Sequence, residues 1–162
     1  MSPLSPRMIR SAIIDRYGKK FNTSIERQFQ DFAEANSLPY KMNESRDFLA
    51  ENRRGELQVF SFQLDFVEFA EPGVFATWKV TGYLPTNVAV KTDIEVDGEG
   101  HKDQNDPWKD RIKNRYGIRV IHVPGYLCRP KQWPVLLECL RNADELPPRM
   151  PERTVYLDEY SR

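Results

Sequence analysis

The sequence has no excess of charge of either sign. Its 162 residues carry 24 lysines and arginines against 24 aspartates and glutamates, and there are only 2 histidines. Many nucleic-acid-binding proteins are strongly basic, because neutralisation of phosphates supplies much of their affinity. With this balance, a polyanion can be bound only through a local concentration of positive charge. The composition therefore argues against binding by net charge alone.

Cysteine and long apolar runs are also scarce. The spacing of the two cysteines, Cys128 and Cys139, fits neither a zinc half-site nor a disulfide framework. No run approaches the ~18 apolar residues that a membrane span needs. The first residues lack the apolar core and cleavage site of a secretory signal. We therefore expect reduced thiols, no membrane association and a cytoplasmic location.

What is present suits one domain. Hydrophobic residues make up 40% of the chain and aromatic residues 12%, which is enough for a core of ordinary size. The length also fits a single unit over residues 1–162. Within it, prolines near both ends predict extended tails at residues 1–6 and 147–162.

Hydrophobic periodicity predicts an α/β fold with a mixed β-sheet flanked by helices. Thr23 and Glu26 have the spacing of a capping box that opens a helix. The predicted helices cover residues 8–17, 23–36 and 107–116 (capped by Gly117), and a segment from Pro134. The predicted strands cover residues 56–70, 74–84, 88–97 and 118–123, with turns at 71–73 and 85–87. Residues 37–56 are expected to be irregular, with a short strand at 39–42 at most.

Residues 88–97 alternate cleanly between apolar and polar side chains. Since neighbours two apart in a strand share a face, Asp93, Glu95 and Asp97 bring three carboxylates together, separated by ~7 Å for each two-residue step. Like charges this close raise one another's pKa unless a cation lies among them. Oxygen ligands on a rigid strand suit Mg²⁺ or Mn²⁺, which can activate water as a nucleophile. The alternative is an acidic strand face exposed to solvent.

A series of short motifs surrounds this strand in a fixed order. An aromatic-Leu-Pro segment is followed by a strand ending Glu95-Val96-Asp97-Gly98, a histidine, a helix of mixed charge and a Gly-hydrophobic-Arg-Val strand. The motif positions after the strand are His101, Asp106, Lys109, Asp110 and Gly117-Ile118-Arg119-Val120. In these motifs, which span roughly a quarter to a third of the chain, the sequence resembles the small endonucleases related to the very-short-patch repair enzymes, within the PD-(D/E)xK superfamily.

The resemblance implies a restriction-endonuclease-like core, a DNA substrate and a Mg²⁺ or Mn²⁺ cofactor. Glu95 would be the metal-binding acid of the third strand. Asp97 stands where the superfamily motif has lysine, a replacement found in this branch. His101 would act near the scissile phosphate, as a base or as a phosphate contact. Its alternative is a loop histidine bonded to a carboxylate.

The first acid of the family departs from its usual place. The resemblance calls for an aspartate just before the aromatic-Leu-Pro segment, where this chain has Thr81 and Gly82. Asp65 has the right neighbour, Phe66, but precedes Glu95 by 30 residues. Either Asp65 reaches the site from a neighbouring strand, or Asp93 substitutes, or the acid is missing. We favour Asp65, whose alternative is a polar residue on the outer face of a strand.

Other residues have a functional and a structural interpretation. Superfamily members often carry a helical glutamate that faces the metal, but in this chain the capping box alone explains Glu26. Trp108 is either a half-buried core residue or a platform for a base. The candidate phosphate contacts are Arg53, Arg54, Lys109 and Lys113. Ion pairing along a solvated helix is the alternative for the two lysines.

The resulting hypothesis is a Mg²⁺-dependent endodeoxyribonuclease or nickase, with metal held by Glu95, by Asp65 or Asp93, and by Asp97. The neutral charge favours a modest DNA footprint, a homodimer or a protein partner. One alternative is a catalytically degenerate nuclease-fold subunit that binds nucleic acid or a protein partner. Another is a structural protein whose proline-rich ends dock on a partner.

Overall fold

A computed structural model describes residues 23–81, 88–97, 107–143 and 153–157. The helices are α1 (Thr23–Ala35), α2 (Val74–Thr81), α3 (Pro107–Arg115) and α4 (Trp133–Arg141). The strands are β1 (Lys41–Glu51), β2 (Leu57–Phe69), β3 (Val90–Asp97), β4 (Arg119–Pro124) and β5 (Thr154–Tyr156). Two short 3₁₀ turns, Gly125–Cys128 and Pro130–Gln132, connect β4 to α4. None of the helices in these ranges is long and apolar enough to cross a bilayer.

The five strands form one mixed sheet in the order β1-β2-β3-β4-β5. The pairs β1–β2 and β2–β3 are antiparallel, whereas β3–β4 and β4–β5 are parallel. A parallel pair needs a crossover connection, and α3 lies in the crossover from β3 to β4. The prediction of an α/β fold with a mixed sheet flanked by helices is therefore confirmed.

The central strand β3 is covered on both faces. Ile94 and Val96 point to one face, where they pack with Phe29 and Phe32 of α1 and with Leu136 of α4. The alternate side chains point to the other face, where α3 lies. All five residues predicted to share the apolar face are buried, but Val88 and Val90 pack in a second cluster that includes Ile112 of α3, so the alternation is confirmed in burial and not as a single face. The acidic face of β3 is thus closed over by a helix rather than open to solvent.

Helix α3 ends where its sequence predicts. Gly117 has a φ of 82°, a left-handed conformation that glycine adopts without a steric penalty. The amide of Ile118 donates to the carbonyl of Lys113 as the chain turns into β4. The predicted glycine cap is confirmed, and it fixes the direction from which α3 crosses the sheet.

Residues 74–84 were predicted to be a strand, and this prediction is wrong for α2. Valine, phenylalanine and threonine favour strands, but a strand also needs a neighbour to satisfy its backbone groups. The helix satisfies its own, and the hydroxyls of Thr77 and Thr81 donate to carbonyls four residues earlier, at Gly73 and Thr77. Of the predicted turns, 71–73 is confirmed by its turn conformation and the φ of 88° at Gly73, and 85–87 lies outside the described residues.

Two strands were not anticipated. Residues 37–56 were expected to be irregular, but 11 of them form β1, which pairs with β2 over ten residue pairs. Its polar sequence hides it, because one face of this edge hairpin is exposed. The predicted tail at 147–162 is extended at β5, yet it is part of the sheet, with Thr154 and Val155 fully buried. The helix predicted at 8–17 lies outside the described residues.

Candidate active site between the sheet and helix α3

A buried lysine joins two carboxylates of β3. Lys113 Nζ lies 2.8 Å from Asp93 Oδ2 and 2.9 Å from Glu95 Oε1. The side chain of Asp93 is 0% exposed, that of Lys113 6% and that of Glu95 18%. Asp93 and Glu95 share a face because they are two apart in a strand, and Lys113 reaches them from the last turn of α3. The position of the helix over the sheet therefore creates this cluster.

Asp65 joins the same cluster from the neighbouring strand. Its Oδ2 accepts a hydrogen bond of 3.1 Å from the amide of Val96, and its side chain is hydrogen-bonded to Glu95. The β2–β3 register pairs Phe66 with Ile94, which brings Asp65 level with the acidic end of β3. Of the three possibilities for the first acid, the structure brings Asp65 to Glu95. Asp93 is also adjacent, but it is sealed from solvent.

The protonation of the cluster follows from burial and from mutual repulsion. Burial raises the pKa of Glu95, Asp93 raises it further, and Lys113 only partly offsets them, so the pKa is about 7. Burial alone lowers the pKa of Lys113, but the charges of Asp93 and Glu95 outweigh it and raise the pKa above its ordinary value. Lys113 is therefore a permanent cation. Asp93 Oδ1 is buried without a hydrogen-bond partner.

A second buried cation lies beside the first. His122 Nε2 is 2.7 Å from Asp110 Oδ2, and its Nδ1 is 3.2 Å from Asp97 Oδ2. Burial lowers the pKa of His122, but hydrogen bonds to Asp110 and Asp97 outweigh it and raise the pKa to about 10. The ring stacks on Tyr156 of β5, with centroids 4.5 Å apart. His122 is therefore an imidazolium between two carboxylates, and Asp97, the residue at the lysine position of the motif, contacts it.

Helix α1 approaches the same end of the sheet. A Cβ added at Gly125 would lie 2.9 Å from Ile25 Cδ1 and 3.2 Å from the carbonyl oxygen of Asp97. The absence of a side chain at Gly125 is what lets the first turn of α1 lie this close to the end of β3. Glu26, next to Ile25, is buried with 9% exposure and interacts with another group of the protein.

The basic residues predicted to contact phosphates separate into two groups. Lys113 is buried and paired with Asp93 and Glu95 rather than lying on the surface. Lys109 is exposed, with Nζ 5.8 Å from the centre of the Phe62 ring. Arg53 and Arg54 are exposed in the turn between β1 and β2, and they line a cavity together with Trp108 of α3.

Some predicted residues cannot be located, and others were missed. His101 and Asp106 lie outside the described residues. Asp110 was named only as a position of the helix motif, and His122 was not singled out, although a histidine inside the apolar run of β4 is a signal, because a buried polar side chain needs a partner. Within the described ranges, no group of three or more His, Cys, Asp or Glu side chains is arranged to hold a metal ion.

Comparisons of the chain with protein-family models, with curated proteins and with solved structures give no match.

Proposed function

We propose that this chain is a metal-dependent endonuclease or nickase that hydrolyses phosphodiester bonds of DNA, with a restriction-endonuclease-like core of the PD-(D/E)xK type. The observation that carries the proposal is the contact of Asp65 with Glu95 and Val96 across two neighbouring strands. The resemblance of the sequence requires two acids on adjacent strands. This pair supplies them, although 30 residues separate the two in the chain.

The donor set fits a divalent cation. One ammonium, that of Lys113, serves the two carboxylates of Asp93 and Glu95, and the pKa of Glu95 is raised by burial and, next, by the charge of Asp93. Mg²⁺ takes one or two carboxylates and completes its shell with water and substrate oxygens. Asp65 and Glu95, both partly exposed, would hold it. A bound metal would acidify a water molecule and stabilise charge on the phosphoryl oxygens.

The remaining residues of the cluster position these two acids. Asp93 has no exposed surface and cannot touch a substrate, so it acts by holding Lys113 in place. Lys113 keeps a fixed positive charge next to Glu95, where a phosphate approaching the metal needs compensation. Asp97 contacts His122, so we assign it to orientation of the β3 end. Further roles belong to His101, which lies outside the described residues.

Plasmid cleavage tests the proposal. In Mg²⁺ or Mn²⁺, wild-type protein should relax or linearise supercoiled DNA, and Glu95→Gln should lower the rate roughly 100-fold or more, because metal-dependent stabilisation is worth several kcal/mol. Glu138→Gln, on the exposed surface of α4, is the matched control and should cleave like wild type. Equal activity of the Glu95→Gln protein would refute the site assignment.

One observation favours the second candidate, a degenerate nuclease-fold subunit that binds nucleic acid or a protein partner. Within the described ranges, no trio of ligand side chains is arranged for a metal, and Lys113 already supplies a cation to the acids. This candidate predicts no uptake of Mg²⁺ or Mn²⁺ in titration calorimetry. Magnesium uptake that disappears in Asp65→Asn would decide for the enzyme.

A further inference from the structure

Asp65, Asp93 and Glu95, with Lys113 between the last two, form an acidic cluster on one side of helix α3. A groove lies on the other side of this helix. One cavity of about 550 Å³ and a second of about 200 Å³ share Asn52, Arg53 and Trp108 and are therefore adjacent. Four arginines and two glutamates contribute its charges, in a protein whose total charge is zero. The arginines are Arg53, Arg54, Arg111 and Arg115, and the glutamates are Glu51 and Glu56. This region, the arginine groove, is the local excess of positive charge that the composition requires of a polyanion binder.

Two rigid elements form the walls of the arginine groove. On α3, Trp108, Arg111, Ile112 and Arg115 have the spacing i, i+3, i+4 and i+7, so they form one stripe of the helix. On the opposite wall, the turn between β1 and β2 is fixed by Asn52, whose Oδ1 accepts from the amides of Arg54 and Glu56 at 2.9 and 3.0 Å. The exposed guanidiniums thus start from a backbone already ordered before any ligand binds.

An aromatic residue lies between the two walls. Trp108 is half-buried, packs edge-to-face on Phe60 at 4.7 Å between centroids, and lines both cavities. Its second contact, Phe62, also lies near the ammoniums of Lys109 and Lys113. A single aromatic layer therefore connects the arginine groove with the acidic cluster.

We infer that the arginine groove binds single-stranded nucleic acid, with phosphates on the arginines and an unpaired base stacked on Trp108. Guanidiniums bind phosphates through paired hydrogen bonds, and aromatic side chains stack on bases of any sequence. In a duplex, both faces of a base are covered by its neighbours. A tryptophan inside a concave groove can therefore stack only on a base that is not part of a duplex. The inference rests on the proposed nuclease function, to which it adds a substrate with an unpaired segment.

Fluorescence anisotropy with a labelled oligothymidine, in EDTA and at low salt, tests the inference without cleavage. Arg111→Glu/Arg115→Glu should weaken binding at least about tenfold, since each phosphate contact contributes to a salt-dependent affinity. Lys131→Glu/Arg141→Glu makes the same change of charge at exposed positions outside the groove and should stay within about twofold of wild type. Equal weakening by both double variants would overturn the inference.

The tryptophan is tested separately. Trp108→Leu should weaken binding roughly 5- to 100-fold, the range for loss of one stacked base, and Trp108→Phe should recover most of it. Far-UV circular dichroism of each variant verifies the fold. Equal affinity for a duplex of the same length, or binding of a glutamate-rich peptide in place of the oligonucleotide, would overturn the assignment of the ligand.

The two proposals can fail independently. Glu95→Gln should bind the oligothymidine as wild type does. Binding without any cleavage would leave the arginine groove in place and refute the nuclease. Cleavage that is unchanged in Arg111→Glu/Arg115→Glu, together with unchanged binding, would refute the groove and leave the nuclease.

Discussion

Lys109 and Lys113 are four residues apart on helix α3, and their ammoniums lie 5.8 and 6.0 Å from the centre of the same Phe62 ring. Lys109 is exposed, whereas Lys113 is buried between Asp93 and Glu95. Spacing along the helix therefore does not distinguish a surface cation from a buried one. The acids of β3, which lie under only one of the two lysines, make the difference.

The same comparison extends to the two sides of the helix. In the acidic cluster, Asp93 and Lys113 are buried, so each of these charges needs a partner at hydrogen-bond distance. The arginine groove is exposed, so its charges are screened by water and salt and need no partner inside the protein. One region should consequently matter for stability, and the other for binding.

The largest expected effect contrasts the two lysines. Lys113→Met should lower the free energy of unfolding by about 3–5 kcal/mol, because it leaves Asp93 buried without its cation. Lys109→Met should change it by no more than about 0.5 kcal/mol. Urea denaturation at neutral pH measures both. Equal losses for the two variants would contradict the burial of the Lys113 charge.

A change of pH separates the regions next. The pKa of His122, raised to about 10 in the folded protein, exceeds its unfolded value of about 6.5. The contribution of the charged His122 to the free energy of unfolding is therefore fully present below pH ~6.5. This contribution, a few kcal/mol, is lost as the pH rises towards about 10. The arginines of the groove keep their charge throughout this range. Between these pH values, the free energy of unfolding from denaturation curves should fall steadily for wild type but not for His122→Gln. Identical pH dependence of both proteins would exclude the imidazolium.

A smaller effect concerns the end of β3, where the first turn of α1 lies close to Gly125. Gly125→Ala should cost about 1–3 kcal/mol, because the new methyl group overpacks against Ile25 and the Asp97 carbonyl. Ile25→Val removes the nearer of these contacts. In thermal unfolding, the double variant should therefore lose less stability than the sum of the single ones. Strict additivity would place the strain elsewhere.

The smallest effect belongs to the arginine groove. Arg111→Ala and Arg115→Ala should each leave the free energy of unfolding within about 0.5 kcal/mol of wild type, since both side chains are exposed. A loss similar to that of Lys113→Met would mean that the groove is a structural element and that the contrast between the two sides of α3 does not hold.

The elements that the sequence predicted well are those whose patterns are local. Helix α3 and its Gly117 cap, strand β2 and the alternation of β3 all follow from periodicity within a dozen residues. Helix α2 was mistaken for a strand, because β-branched and aromatic residues fit either structure when no partner strand is known. Strand β1 was missed because its polar face is exposed in the fold.

Sequence alone determined that Asp93, Glu95 and Asp97 share one face of a strand, because side chains in any strand alternate. Only the tertiary structure decided their partners. Register between β2 and β3 brought Asp65 to Glu95, and the crossing of α3 turned Lys113 inward to Asp93. Parallel pairing set His122 beside Asp97. These contacts join positions 18 to 31 residues apart, and no local pattern encodes them, since the packing of whole elements fixes such distances.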